Sequence, residues 1–258
     1  MKKIMSVLFT FSILIVGTAC AGERAESKSN KTTLTVSAAS SLREVLDEIS
    51  KSFQEEYPDI ELRFNFGASG TLKQQIEQGA PVDLFISAAA DKYEELDKQK
   101  LIYEGTSLVD NELVLITAKN ADWNGQHFRD LISEDIHKLA IGTPEVVPAG
   151  TYAEQVLQSE GVWEQLQEKM ILAKDVQQVL TYVETGNVDA GIVYKTDALL
   201  SDQVKVVAKA DPDSHEPITY PVGVLTSSKH KKEALLFYDY LKSEEAEKLW
   251  IQFGIERF

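Results

Sequence analysis

Two serine-bearing turns, Ser40-Ser41 and Ser69-Gly70-Thr71, stand where a short apolar run gives way to helical spacing. Such a turn aims free backbone N–H groups, the positive end of a helix and a hydroxyl in one direction. That combination holds an anion without a counter-charge. Ala149-Gly150 and Asp175-Val176 supply two more helix starts further along the chain. In an α/β sheet all such turns gather at the carboxyl edge of the strands. Any one serine of this kind is most simply an N-cap, and Glu44, three residues after Ser41, completes a capping-box pattern. Four converging starts in two separate stretches of chain are harder to explain by capping alone.

Enzyme signatures are weaker. His127, His137, His215 and His230 are scattered, with no spacing that suits a metal. Gly67 to Lys73 invites comparison with a phosphate-binding P-loop, but that motif needs glycine at Leu72 and serine or threonine at Gln74. A hydrolase using Ser41 or Ser69 as nucleophile would need a base within hydrogen-bond reach, and no histidine adjoins either serine in sequence. The single cysteine, Cys20, excludes an intramolecular disulfide and a cysteine zinc cluster. A binding protein is expected, with no catalytic residues, no cofactor and no metal held by side chains.

The elements that must position these turns alternate. Leu34–Ala39 reads as a buried strand, and Leu42, Val45, Leu46, Ile49 and Phe53 follow at helical spacing. Strand 61–66, helix 69–79, strand 82–88 and helix 91–100 continue the pattern of an α/β domain with a largely parallel sheet. Strand 112–118 opens a second such unit, with strands at 139–142, 189–194 and 204–208 and helices at 151–161, 163–169 and 175–184. Strand 220–225 precedes two terminal helices, 231–241 and 243–253, which are too short to form a domain and are expected to return to the first unit. Strands 112–118 and 220–226 are placed to cross between the units. The expected lobes are 34–111 plus 226–258, and 112–225 including the crossover strands.

Residues 1–19 read as a leader: Lys2 and Lys3, then an uncharged run from Met5 to Gly17, too short for a membrane span. Residues 20–33 are polar and small, as in a flexible tether. The net charge is −15, and loss of the leader with its two lysines leaves 24 basic against 41 acidic residues, a net −17. That balance repels nucleic acid. It also looks hostile to a small anion, unless the site relies on short-range N–H and O–H dipoles and the acidic residues sit on solvated, salt-screened faces.

Several motifs together carry a family resemblance. Thr35-Val-Ser-Ala-Ala-Ser-Ser-Leu42, Phe66-Gly-Ala-Ser-Gly-Thr-Leu72, Gly79-Ala-Pro-Val-Asp-Leu-Phe-Ile-Ser87, Pro144-Glu-Val-Val-Pro-Ala-Gly150, Gly191-Ile-Val-Tyr194, Asp213-Ser-His215 and Phe237-Tyr-Asp-Tyr-Leu-Lys242 resemble the molybdate-binding component of ABC importers, the ModA family. The resemblance spans about residues 34–254. It implies a two-lobed, periplasmic-binding-protein-like α/β fold of type II, with mostly parallel sheets flanked by helices and two crossover strands. It further implies a molybdate or tungstate oxyanion gripped by uncharged groups: the hydroxyls and N–H groups of Ser41 and Ser69, the N–H groups of Ala149 and Val176, and the phenol of Tyr194. Molybdenum then enters as an oxyanion with no direct side-chain ligand. Gly17-Thr18-Ala19-Cys20 resembles a bacterial lipoprotein processing site, with Cys20 as the lipid-bearing residue; the plainer alternative is an ordinary secretory signal. The implied partners are a membrane permease and, through the anchor, the extracytoplasmic face of the cell membrane, with the protein acting as a monomer.

A donor-only site suits a fully deprotonated tetrahedral oxyanion, because its oxygens only accept. Hydrogen phosphate would want an acceptor, so such a cleft disfavours it. Sulfate has the same charge and no proton, and a sulfate binder is the standing alternative.

Overall fold

The computed structural model describes residues 31–255; the leader expected at 1–19, Cys20 and the first part of the tether lie outside them. The first lobe runs β1 (Thr32–Ala39), α1 (Arg43–Glu56), β2 (Ile60–Gly67), α2 (Ser69–Glu77), β3 (Leu84–Ile86), α3 (Ala90–Lys98) and β4 (Ile102–Asp110). The second runs β5 (Leu113–Ala118), β6 (Leu139–Gly142), α4 (Pro148–Ser159), α5 (Trp163–Leu166), β7 (Met170–Ala173), α6 (Val176–Glu184), β8 (Ala190–Tyr194), α7 (Lys195–Leu199) and β9 (Val204–Lys209). The chain then returns through β10 (Thr219–Leu225), α8 (Lys231–Tyr240) and α9 (Glu244–Gln252).

Two five-stranded sheets result, ordered β2-β1-β3-β10-β4 and β7-β6-β8-β5-β9. In the first, β1 pairs in parallel with β2 and β3, while β10 runs antiparallel between β3 and β4. In the second, β6 pairs in parallel with β7 and β8, while β5 runs antiparallel between β8 and β9. Both sheets therefore follow one plan, with a single strand reversed, and are mostly parallel by strand direction. The reversed strand in each case lies next to a point where the chain changes sheet. Asn111 and Glu112 join β4 to β5, and residues 210–218 join β9 to β10.

Burial follows the periodicities. Val45, Leu46, Ile49 and Phe53 of α1 are buried, as their spacing predicts. Ile49 is fully enclosed, so Ile49→Ala would cost about 2–5 kcal/mol through lost transfer energy and the cavity left behind. All five residues of β8 are buried, as suits a strand covered on both faces. The terminal helices do return to the first lobe: α8 packs on β10 and β1, and α9 on α1.

Several boundaries move. The tether expected over 20–33 ends sooner, since Thr32 and Thr33 pair with Ile60 and Glu61, where an edge of β2 is available to them. The second lobe, expected to run to 225, stops short of β10, which pairs with β3 and β4 and so belongs to the first sheet. Strands β4 and β7 and the short α7 go beyond the elements the periodicity marks. β4 and β7 are edge strands with one partner each, and exposed residues such as Tyr103, Ile171 and Leu172 blur the alternation that marks a half-buried strand. Among the described residues, no helix is long and apolar enough to cross a membrane.

Candidate anion-binding cleft

The carboxyl ends of β1 and β2 in one sheet, and of β8 in the other, run into turns that line a single cleft. Ser41, Ser69, Ala149, Val176 and Tyr194 all line it, together with Ser40, Ala68, Ala88 and Pro148. None of the five is more than 4% exposed, so an anion held among them would be cut off from bulk water. No charged side chain lines the cleft. The walls meet closely and leave room between them for about one water.

Ser41 does not cap α1. Ser40–Leu42 tighten into a 3-10 turn, and neither that turn nor α1 has a side-chain cap. The expected capping box with Glu44 is thus not formed. In the tighter turn the Ser41 hydroxyl lies 3.1 Å from the Tyr220 hydroxyl of β10. Ser69 opens α2, and its Oγ accepts a 2.9 Å hydrogen bond from the Ala88 N–H. A hydroxyl that accepts from behind keeps its own proton to donate forward.

Gly70 follows, and its N–H donates to the Val146 carbonyl of the other lobe at 3.0 Å. A Cβ on Gly70 would fall 2.8 Å from Val146 Cα and O, so only glycine permits this approach. Pro148 occupies the first position of α4, where a missing N–H costs nothing. The Ala149 N–H lies in the first turn and has no intrahelical acceptor. A Cβ on Gly150 would sit 2.0 Å from Gly142 O, so glycine lets α4 start directly against the end of β6. Asp175 caps α6 by accepting from the Gln178 N–H at 2.9 Å, which leaves the Val176 N–H directed out of the helix start.

Tyr194 ends β8. The family resemblance implies that its phenol donates to the ligand; in this structure it donates to the Ala88 carbonyl at 3.2 Å, across the lobes. Burial pushes the phenols of Tyr194 and Tyr220 well above their ordinary range, so both remain neutral donors in ordinary buffers. Their rings meet edge-to-face at 5.6 Å. Behind Tyr194, the Asp197 carboxylate accepts from the Tyr194 N–H and the Gln177 amide. Burial outweighs those bonds and pushes Asp197 up to about 8, which keeps it neutral at pH 7.

Sequence reasoning missed Tyr220, Asn111 and Ala88. Tyr220 alone left a signal, since a phenol in an otherwise apolar strand needs a polar partner. Ala88 is a backbone bridge between Ser69 and Tyr194, which no side-chain pattern reports. The hydroxyls of Ser41 and Ser69 are engaged by Tyr220 and the Ala88 N–H, not by a histidine or carboxylate, so a serine hydrolase has no base at either position.

Two lobes joined by two crossings, with an uncharged, donor-lined cleft between them, define a solute-binding protein. The chain belongs to the bacterial extracellular solute-binding proteins, whose family model matches residues 34–256. It is 44% identical over 255 residues to the "Putative ABC transporter substrate-binding lipoprotein YvgL" of Bacillus subtilis, covering 98% of this chain and 96% of that one. It is 36% identical to the molybdate-binding protein ModA of Haemophilus influenzae, covering 86% and 89%. Among solved structures, the "substrate binding domain of putative molybdenum ABC transporter from Clostridium difficile" is 41% identical, with a TM-score of 0.68 over 88% of this chain and all of that one. The protein is accordingly a solute-binding component of ABC transport, a class that works with a membrane permease and carries out no catalysis.

Proposed function

We propose that this protein captures molybdate, and tungstate with it, in the cleft between its lobes and delivers it to the permease of an ABC importer. The observation that carries this reading is the uncharged cleft in which Ser41, Ser69, Ala149, Val176 and Tyr194 meet. Helix starts on both lobes turn N–H groups toward one point, and an oxyanion dianion is the ligand that such a set of donors suits. The ModA relatives add weight through their identity over most of the chain. Cys20 serves as the lipid anchor on the extracytoplasmic face, and the protein acts as a monomer.

Capture follows from the division of donors between lobes. Ser41 and Ser69 belong to the first lobe, and Ala149, Val176 and Tyr194 to the second, so the shell is complete only when the cleft closes. The Gly70–Val146 and Tyr194–Ala88 bonds hold the closed arrangement. Admitting the anion exchanges the Tyr194–Ala88 bond for one to a ligand oxygen, which frees the phenol for the role expected of it.

A thermal-shift panel with molybdate, tungstate, sulfate and phosphate tests the reading, since a ligand that binds only the folded protein raises its melting temperature. Molybdate and tungstate are expected to raise it and phosphate to leave it unchanged. A rise with sulfate and none with molybdate would overturn the assignment in favour of a sulfate binder.

A further inference from the structure

Behind Ser41 lies a chain of hydrogen bonds that begins at the crossing between the lobes. Asn111, the first residue after β4, takes the Glu112 N–H on its Oδ1 at 2.8 Å. That contact fixes which end of the amide is oxygen, because an N–H needs an acceptor. The other end, Nδ2, then has two protons, and it lies 3.0 Å from Thr196 Oγ1 and 3.0 Å from the Tyr220 hydroxyl. Tyr220 accepts from Asn111 and keeps one proton of its own, and Ser41 Oγ lies 3.1 Å away, where either hydroxyl can donate to the other. When Tyr220 donates, Ser41 accepts and its own proton is left to point into the cleft. Tyr220 is fully buried, which denies it water as an alternative partner.

We propose that Asn111 and Tyr220 are positioning residues that set the polarity of the cleft at Ser41, making that hydroxyl a donor and denying it to ligands that must themselves donate. The assignment rests on the oxyanion-binding reading above. It makes Ser41 the end of a one-way relay, Glu112 N–H to Asn111, Asn111 to Tyr220, Tyr220 to Ser41. It also ties that polarity to closure. The two protons of Asn111 go to different lobes, one to Thr196 of α7 and one to Tyr220 of the first sheet. Swinging the lobes apart strains one of those bonds, so the relay is intact in the closed cleft.

The test is a double-mutant cycle read by calorimetry on the full protein, with Tyr220→Phe, Ser41→Ala and the pair, titrated with molybdate, sulfate and phosphate. Tyr220→Phe is expected to weaken molybdate binding by about tenfold, the effect of one hydrogen bond, and to add little once Ser41 is alanine. A merely structural Tyr220 would instead give the same loss in both backgrounds, which would overturn the proposal. The second signature is selectivity. With Ser41 free to turn and accept, the preference for sulfate over phosphate should narrow in Tyr220→Phe, whereas unchanged preference refutes the relay. If Tyr220→Phe lowers the melting temperature too far to titrate, Asn111→Ala serves in its place, with a smaller loss that must likewise vanish in the Ser41→Ala background. Wild-type protein that binds sulfate but not molybdate would sink the molybdate reading while leaving the cycle measurable with sulfate.

Discussion

Gly70→Ala separates closure of the cleft from the donors that line it. A Cβ at Gly70 would lie 2.8 Å from Val146 Cα and O, where ordinary contact begins at 3.4 Å. The α2 start and the Val146 loop must therefore part by about 0.2 Å to escape the clash and by about 0.6 Å to reach ordinary contact. The same displacement stretches the 3.0 Å Gly70–Val146 hydrogen bond toward lengths at which it no longer holds. Loss of that bond costs about 0.5–1.5 kcal/mol, and misalignment of facing donors adds to it. A total of about 1–3 kcal/mol corresponds to molybdate binding about 5- to 150-fold weaker. Alanine also restricts the unfolded chain more than glycine, worth about 0.4–1 kcal/mol where the backbone suits it, so the protein measured alone should hold its melting temperature or gain. Calorimetric titration with molybdate and a melting curve without it check the two signs together. Wild-type affinity in Gly70→Ala would refute the argument that this contact sets closure.

Other perturbations address the donors directly. Ser69→Ala should weaken molybdate binding at least several-fold, since bonds to charged groups contribute about 1.5–3 kcal/mol. It should also lower the melting temperature, because the Ala88 N–H loses its acceptor; calorimetry and thermal melts read both. Tyr194→Phe should weaken molybdate by about tenfold or more, and an unchanged affinity would mean that the phenol stays on Ala88 in the complex. Asp197 gives a pH dependence. Its folded value of about 8 stands above the ordinary 3.8, so the folded state binds the extra proton between them. The stability it contributes is complete below about pH 4 and is lost as the pH rises through about 8. Asp197→Asn should flatten that fall in denaturant titrations. The same variant should remove a loss of molybdate affinity above pH 8, where ionised Asp197 would place a negative charge behind Tyr194.

The alternation of apolar runs and helical spacing made the fold legible, because β1, β3, β6 and β8 are buried strands and α1, α6 and α8 have one apolar face each. Edge strands β4 and β7 escaped since pairing on one side, not hydrophobicity, makes them strands. The lobe boundary at β10 escaped for a related reason. A strand beside a crossing carries no mark in its own residues of which sheet it will join, and pairing with β3 and β4 decides it.

Acting alone, the sequence determined the helix starts at Ser69, Ala149 and Val176, because strand-to-helix turns, proline at a first turn and an aspartate cap are local matters. It also determined that the cleft would be neutral despite a net charge of −15, since Ser69, Ala149 and Val176 themselves carry no charge. Tertiary structure decided what those groups do with their protons. Ser41 gave up a capping role because β10 brings Tyr220 against it from 179 residues away, and Ala88 became a bridge because two lobes close on its peptide. Hydrogen-bond direction depends on what stands behind each hydroxyl, and in this protein that partner comes from another strand or another lobe.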